Sequence, residues 1–391
     1  MKPVHPDYAG GSIVNLAASL LQAFGIEPPN PPCRPELLPP ALLAEAPGVV
    51  LLVCDALGRG QLDQVLASGR APNLERLVAR APGGIATLTS VFPTTTTSAL
   101  PSLCTALTPA QHGMLGMRQW LAQIGALGDM LRFRTVAEQP QPIDAELIRS
   151  APTLYERLRD RGFAAVAISA SQHQGTGFTN LLHEGAQYLG YEAQSEIPYL
   201  LNTSLNQHRG RRAFHYVYWP MVDTLSHIYG PQSEPCALEM EFVDLLLGKV
   251  MDCCARAGHT LLLTADHGQT ALDPDRALIM GPDLGRLLRY PPGGGRRACY
   301  LAALDPAALR AHPLLQHQNL LVLPTDEFVA AGWFGGDCGR FRSRLGDFVL
   351  IPADDCQLIY DYGQGTHPNR GGHAGASAAE MLVPLIAVPY C

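Results

Sequence analysis

No apolar run in this sequence is long enough to cross a bilayer; the segment from Ile13 to Phe24 is apolar at helical spacing but short and amphipathic. Residues 1–6 carry one lysine and lead into no apolar stretch of signal-peptide type. A cytoplasmic protein with no membrane partner is therefore expected. None of the ten cysteines stands in the C-x-x-C spacing of a zinc or redox site. Cys54 and Cys104 sit in apolar runs, where a reduced thiol behaves as a small hydrophobe, so a reducing compartment is the simpler reading. No internal repeat is present, and no low-complexity tract beyond Thr94–Thr97. Charged residues make up 16% against 47% hydrophobic, which excludes global disorder. The net charge of −7 argues against a nucleic-acid polymer as partner, while an anionic small molecule stays open where metal supplies local positive charge. The pattern carries no signal for an oligomeric state.

What is there is α/β rhythm. Short continuous apolar runs at residues 48–54, 163–168, 214–219 and 260–264 read as strands buried on both faces of a parallel sheet. Helical patterns lie between them, at 72–79, 153–161 and 239–257, and Ser12 and Gly25 frame a first helix. This alternation predicts an α/β fold with a doubly wound, mainly parallel central sheet flanked by helices. Residues 273–348 break the rhythm, with Pro291–Gly295 as a loop. They are expected to form an inserted α+β cap that sets substrate specificity, leaving 1–272 and 349–391 as the catalytic core.

In open α/β sheets ligands bind beyond the carboxyl ends of the strands. The run at 48–54 ends in Asp55, and the run at 214–219 leads into Asp223 and His227. The run at 260–264 leads into Asp266-His267-Gly268, and His373 stands between glycine and alanine before the last apolar stretch. Each alone has an ordinary explanation. A lone Asp caps a helix, an i, i+4 Asp–His pair forms on a helix surface, and His373 can be a loop residue. Together they make three Asp and three His where one cleft gathers them. That N/O donor set suits two divalent cations, Zn²⁺ first, with Mn²⁺ or Fe²⁺ as other occupants. The hydroxyl cluster Thr94–Thr97 precedes an apolar segment and offers helix caps or, at a helix start, a nucleophile beside a phosphate site. Composition does not choose among the four.

These blocks resemble, in order, the alkaline phosphatase superfamily, and within it the type I phosphodiesterase/nucleotide pyrophosphatase branch. The resemblance rests on Val53-Cys54-Asp55-Ala56-Leu57-Gly58, Phe92-Pro93-Thr94-Thr95-Thr96, the stretch Thr105–Gly113 with Pro109 and His112, Asp223/His227, Asp266-His267-Gly268 and Gly372-His373. It implies Thr96 as the nucleophile, chosen by register from Pro109 and His112-Gly113, with Thr95 and Thr97 as its nearest rivals. It implies Asp55, Thr96, Asp266 and His267 as ligands of one metal, and Asp223, His227 and His373 as ligands of the other. The sequence departs from the branch at Thr95, where a Lys is usual, and at Met117, where an Asn that bonds a phosphoryl oxygen is usual. Arg118 or a backbone N–H near Thr96 is expected to take that oxygen.

The resemblance implies a metal-dependent hydrolase of small phosphate esters, a phosphodiesterase or nucleotide pyrophosphatase with a phosphothreonine intermediate. Phosphomonoester, phosphonate or sulfate-ester hydrolysis and phosphoryl transfer by a mutase share the scaffold. A non-catalytic metal-binding protein is the reading from another class. The remaining candidates are plain: His112 is expected to be structural, His367 a nearby or solvent-exposed residue, Asn73 a helix-start residue, and Arg296-Arg297 a solvated loop pair that could otherwise meet an anionic substrate.

Overall fold

The computed structural model describes residues 2–363 and 365–390, so Cys391 lies outside the described residues. Seven strands make the central sheet: β1 (Gly48–Cys54), β2 (Ala86–Thr89), β3 (Ala164–Ala170), β4 (Gln187–Tyr191), β5 (Ala213–Trp219), β6 (Thr260–Thr264) and β7 (Leu382–Val388). Their spatial order is β2-β7-β6-β1-β5-β3-β4. β6, β1, β5, β3 and β4 run parallel, and only β7 runs against its neighbours β6 and β2. Every residue of β1, β5 and β6 is buried, which is why their sequences read as unbroken apolar runs. Register then does the functional work. Val53 lies opposite both Tyr218 and Thr264, so β1, β5 and β6 deliver their carboxyl ends to one place.

The helices follow local signals. Helix α1 (Ile13–Ala23) starts at Ser12, whose hydroxyl bonds the Asn15 side chain at 2.6 Å, and Gly25 beyond its end has φ +70°. Helix α2 (Thr96–Thr105) begins inside the threonine run, and helix α3 (Met221–Tyr229) carries Asp223 and His227. Helix α4 runs Glu234–Ala257, five residues longer at its start than the periodicity predicts. Ser233 and Pro235 set that start before the apolar stripe begins, and Gly258 ends the helix in the left-handed conformation.

A second, antiparallel sheet lies outside the first. Its strands run in the order Leu320–Pro324, Phe348–Pro352, Cys299–Leu301, Gly293–Gly294, Arg118–Leu121, Ala126–Asp129 and Arg134–Thr135. The mixed layer is thus wider than 273–348, because it also takes in residues 118–135 and 348–352. The expected loop at Pro291–Gly295 holds one of its short strands. Gly294 has φ +76°, and a β-carbon there would strike the Ala298 carbonyl. Phe92, packed on Phe328 at 4.9 Å and Trp333 at 5.3 Å, ties this layer to the segment leading into α2. Among the described residues the nine cysteines are buried and free, and no helix is long and apolar enough to cross a membrane.

Candidate metal centre

Asp55 follows β1 directly, and its backbone N–H reaches the Trp219 carbonyl at 2.8 Å, continuing the β1–β5 ladder. One oxygen of its carboxylate is held by the Tyr218 hydroxyl, and the other, Oδ1, is buried without a hydrogen-bond partner among the described residues. Asp266 repeats the arrangement. Its Oδ1 accepts the N–H groups of Ala56 at 3.3 Å and His267 at 3.0 Å, and its Oδ2 has no such partner. Each carboxylate is therefore anchored by one oxygen and presents the other. Both free oxygens face His267 Nε2, Oδ1 of Asp55 at 3.5 Å and Oδ2 of Asp266 at 3.4 Å.

Thr96 completes this inner set. Its hydroxyl lies 3.2 Å from His267 Nε2, and it is half-buried where Thr94, Thr95 and Thr97 are buried. The other threonines are placed differently. Thr94 donates its hydroxyl to the Gly375 carbonyl and accepts the Ala374 N–H, so it fastens the loop that carries His373. The Thr97 hydroxyl is buried without a partner among the described residues.

Asp223 and His227 stand one helical turn apart on α3, with Asp223 Oδ1 3.4 Å from His227 Nε2. His373 reaches them from the far end of the chain. Its Nε2 is 3.1 Å from His227 Nε2 and 3.6 Å from Asp223 Oδ1. The loop is brought there by a short ladder between Thr270–Ala271 and Gly371–Gly372. Gly371 lies so close to α3 that a β-carbon would strike the Ser226 carbonyl.

All three imidazoles are oriented alike. His227 Nδ1 bonds the Gly371 carbonyl, His267 Nδ1 the Gly268 carbonyl and His373 Nδ1 the Thr94 carbonyl, at 2.9, 3.1 and 2.9 Å. A carbonyl only accepts, so each Nδ1 carries the proton and each Nε2 presents a lone pair to the centre. Burial holds His267 at about 4 and His373 at about 3, far below ordinary imidazoles, so both are neutral near pH 7. Burial, then the charges of Asp266 and Asp223, pushes the Asp55 carboxyl well up, and burial pushes Asp266 up beside it. No arginine or lysine is paired with Asp55, Asp223 or Asp266 among the described residues.

Buried carboxylate oxygens and imidazole lone pairs converging without a cation are costly, so the donor set fits metal. Spacing agrees. Ligands of a tetrahedral zinc lie about 3.3 Å apart when bonds are about 2.0–2.1 Å, and the contacts above run from 3.1 to 3.6 Å. Within a looser radius of 4.8 Å, His267 groups with Asp55 and Asp266 and also with Asp223 and His373. It stacks on the His373 ring at 3.9 Å and so stands between the two sets. The shorter contacts gather Asp55, Thr96 and Asp266 about His267 on the inner side, and Asp223 and His373 about His227 on the outer.

Several supporting residues escaped the reading of the sequence. Tyr218 looks like one more buried strand residue, Gln269 donates to Asp223 at 3.1 Å, and the Asn369 amide meets His227 Nδ1 at 3.1 Å. Their only signal was nearness to the ligand blocks. The solvated-loop reading of Arg296-Arg297 is corrected for Arg297, while Arg296 is half-buried. Arg297 is fully buried, bonds both oxygens of Glu380 at 3.0 and 2.9 Å and reaches the Cys356 carbonyl at 2.6 Å. Glu380 in turn accepts the Gly375 N–H and the Ser377 hydroxyl, which fixes the His373 loop. His112 is structural as expected, between the Ser102 hydroxyl and the Met114 N–H. Arg118 lies over the Tyr362 ring at 4.3 Å and makes no hydrogen bond to a ligand residue.

Residues 49–377 match the sequence family described as type I phosphodiesterase / nucleotide pyrophosphatase. The chain belongs to that family. It is thereby placed among phosphoester hydrolases of the alkaline phosphatase superfamily, as the ordered blocks imply. No curated protein matches it significantly by sequence. Solved structures of the same fold include murine ectonucleotide pyrophosphatase / phosphodiesterase 5, in an inactive threonine-to-alanine form in complex with AMP. It is 16% identical, with TM-score 0.68 and 87% of each chain covered. The human counterpart is 16% identical at TM-score 0.65, again with 87% of each chain covered. Phosphonoacetate hydrolase from Sinorhizobium meliloti 1021, in complex with phosphonoformate, is 18% identical at TM-score 0.63, over 87% of this chain and 89% of that one.

Proposed function

We propose that this family member is a metal-dependent phosphodiesterase of small molecules that works through a phosphothreonine at Thr96. The observation that carries the reading is the position of the Thr96 hydroxyl, 3.2 Å from His267 Nε2 at the first residue of α2. Two divalent cations, Zn²⁺ by the donor set and otherwise Mn²⁺ or Fe²⁺, would be held by the inner and outer residues and would supply charge stabilisation at the attacking and leaving oxygens.

The chain's own groups do the rest. Thr96 Oγ1 attacks phosphorus in line, the bond to the leaving oxygen breaks, and water then cleaves the threonine–phosphorus bond to restore the hydroxyl. N–H groups in the first turn of a helix have no intrahelical acceptor, so those of Thr96 and Thr97 are available to a phosphoryl oxygen. That supplies the donor which Met117 does not.

A cavity of about 160 Å³ opens beside Thr96, walled by Leu100, Leu131, Phe178, Tyr216 and Tyr218 among others, and no arginine or lysine lines it. A neutral ester substituent suits these walls, which favours a diester over a dianionic monoester. The test is Thr96→Ala assayed with bis-p-nitrophenyl phosphate and p-nitrophenyl phosphate. Turnover is expected to fall by about a thousandfold or more while metal content stays near that of the parent. Near-normal activity in the variant would sink the assignment.

A further inference from the structure

Outside the ligand sets, one pair of charges stands close to the centre without a counter-ion. Arg118 lies on a strand of the second sheet, directly opposite Gly294. Two residues on, Arg296 follows Gly295, where a β-carbon would lie 3.7 Å from that of Ala374, the neighbour of His373. The segment carrying Arg296 is therefore packed on the loop that carries an outer ligand. Asn369 lies between this segment and His227. Arg296 donates to Asn369 Oδ1 at 3.3 Å, and the amide nitrogen of Asn369 lies 3.1 Å from His227 Nδ1. Gln357, fully buried, accepts from Arg296 at 3.1 Å and from the Asn369 N–H at 3.1 Å, and so holds both in place.

Neither guanidinium meets a carboxylate among the described residues. Among the described residues Arg118 Nε is buried without a partner, and the guanidinium lies on the face of Tyr362. Its cross-strand neighbour Asp129 turns Oδ1 instead to the N–H groups of Leu131 and Arg132. Arg296 bonds Gln357, Asn369 and the His367 carbonyl, all neutral. The like charges of the two arginines disfavour one another. Two half-buried like charges kept together in a chain of net charge −7 are unfavourable unless an anion joins them.

We infer that Arg118 and Arg296 form a receptor for a second anionic group of the substrate, a carboxylate or phosphate carried on the portion that lies toward His227. The inference rests on the phosphodiesterase reading for the placement of the phosphoryl group. It deepens that reading by naming the chemistry of one substituent: the neutral cavity takes one side of the ester, and the arginine pair takes a charged group on the other. Both arginines act here by binding and have no part in bond breaking.

The test compares methylphosphonate with phosphonoacetate and 3-phosphonopropionate, which add a carboxylate one or two carbons from the phosphonate. Dissociation constants are measured by calorimetry on the full chain after zinc loading and removal of free metal. At least one carboxylated probe should bind about tenfold or more tighter than methylphosphonate. Arg118→Gln and Arg296→Gln should each bring that ratio toward one, while Arg118→Lys keeps part of it. The ratio cancels any change at the phosphoryl site itself. A ratio near one in the parent, or a ratio unchanged in both glutamine variants, overturns the inference; the latter would mean that the carboxylate only chelates metal. If the ratio behaves as expected but bis-p-nitrophenyl phosphate is not hydrolysed, the phosphodiesterase reading fails and the receptor stands. If none of the three probes binds, both fall.

Discussion

Nε2 of His227 and Nε2 of His373 stand 3.1 Å apart, and the Nδ1 atom of each is committed to a backbone carbonyl. Two imidazole lone pairs facing one another at that distance repel unless a cation lies between them. The same holds for Asp55 Oδ1 and Asp266 Oδ2, buried and unpartnered on the inner side. The fold has therefore assembled a centre of converging oxygen and nitrogen ligand atoms whose stability depends on what it binds.

Metal removal should accordingly be felt by the whole domain. A ligand present at about one hundred times its dissociation constant stabilises the folded state by about 2.7 kcal/mol. Zinc-loaded protein is expected to melt higher than chelator-treated protein in scanning calorimetry, and re-addition of zinc should restore the midpoint. Identical melting curves would count against a metal centre.

The Tyr218 hydroxyl should tune the inner set without taking part in it. Tyr218→Phe leaves Asp55 Oδ2 buried and unbonded, a loss of about 1–3 kcal/mol. Groups that orient a metal ligand typically affect metal affinity by about 10–100-fold. Competition with a chromophoric chelator should show weaker binding of one metal equivalent and unchanged binding of the other.

The four threonines should separate cleanly on substitution. Thr94→Val removes the bonds to Gly375 and Ala374 that seat the His373 loop, so loss of outer-metal affinity is expected, read by metal titration. Thr97→Val fills the place of a buried hydroxyl that has no partner, and should leave stability within about 1 kcal/mol of the parent in urea unfolding. A collapse of the fold on Thr97→Val would show that the hydroxyl has a partner after all.

Glu380→Gln should be among the more damaging substitutions outside the ligand set. It leaves Arg297 buried without its counter-ion, a cost of about 3–5 kcal/mol. Burial alone would raise the Glu380 carboxyl, but Arg297 and its other bonds hold it below the usual carboxylate range. The folded value thus lies below the unfolded one of about 4.3. The pair's contribution is complete above that pH and is lost as pH falls through the folded value. Parent and variant should differ in denaturant midpoint at neutral pH and converge in acid. A constant gap would contradict the linkage.

The chain order of chemical blocks was legible because catalysis imposes residue type and spacing locally. An aspartate at the end of an apolar strand, or an Asp–His pair one helical turn apart, is visible without coordinates. The strands β1, β5 and β6 were legible for a related reason, since burial on both faces removes every polar residue from them. The start of α4 and the extent of the second sheet were less so. Capping residues and strands of two or three residues leave little periodic signal, and residues 118–135 join partners more than 150 positions later in the chain.

By itself, then, the sequence determined the α/β class, the strand-end acids and histidines, and a hydroxyl cluster in the threonine run. Only the tertiary structure decided which oxygen of each carboxylate is free, which threonine meets His267 and that Arg297 is a buried strut for the His373 loop. It also placed Arg296 on Asn369, next to His227, and Arg118 on the strand opposite Gly294. The physical reason is that composition and periodicity report whether a side chain is buried, whereas function depends on which buried polar atoms are already bonded. That depends on contacts between distant segments, here between residues 55, 96, 227, 267 and 373, which only the folded register brings within 4 Å of one another in turn.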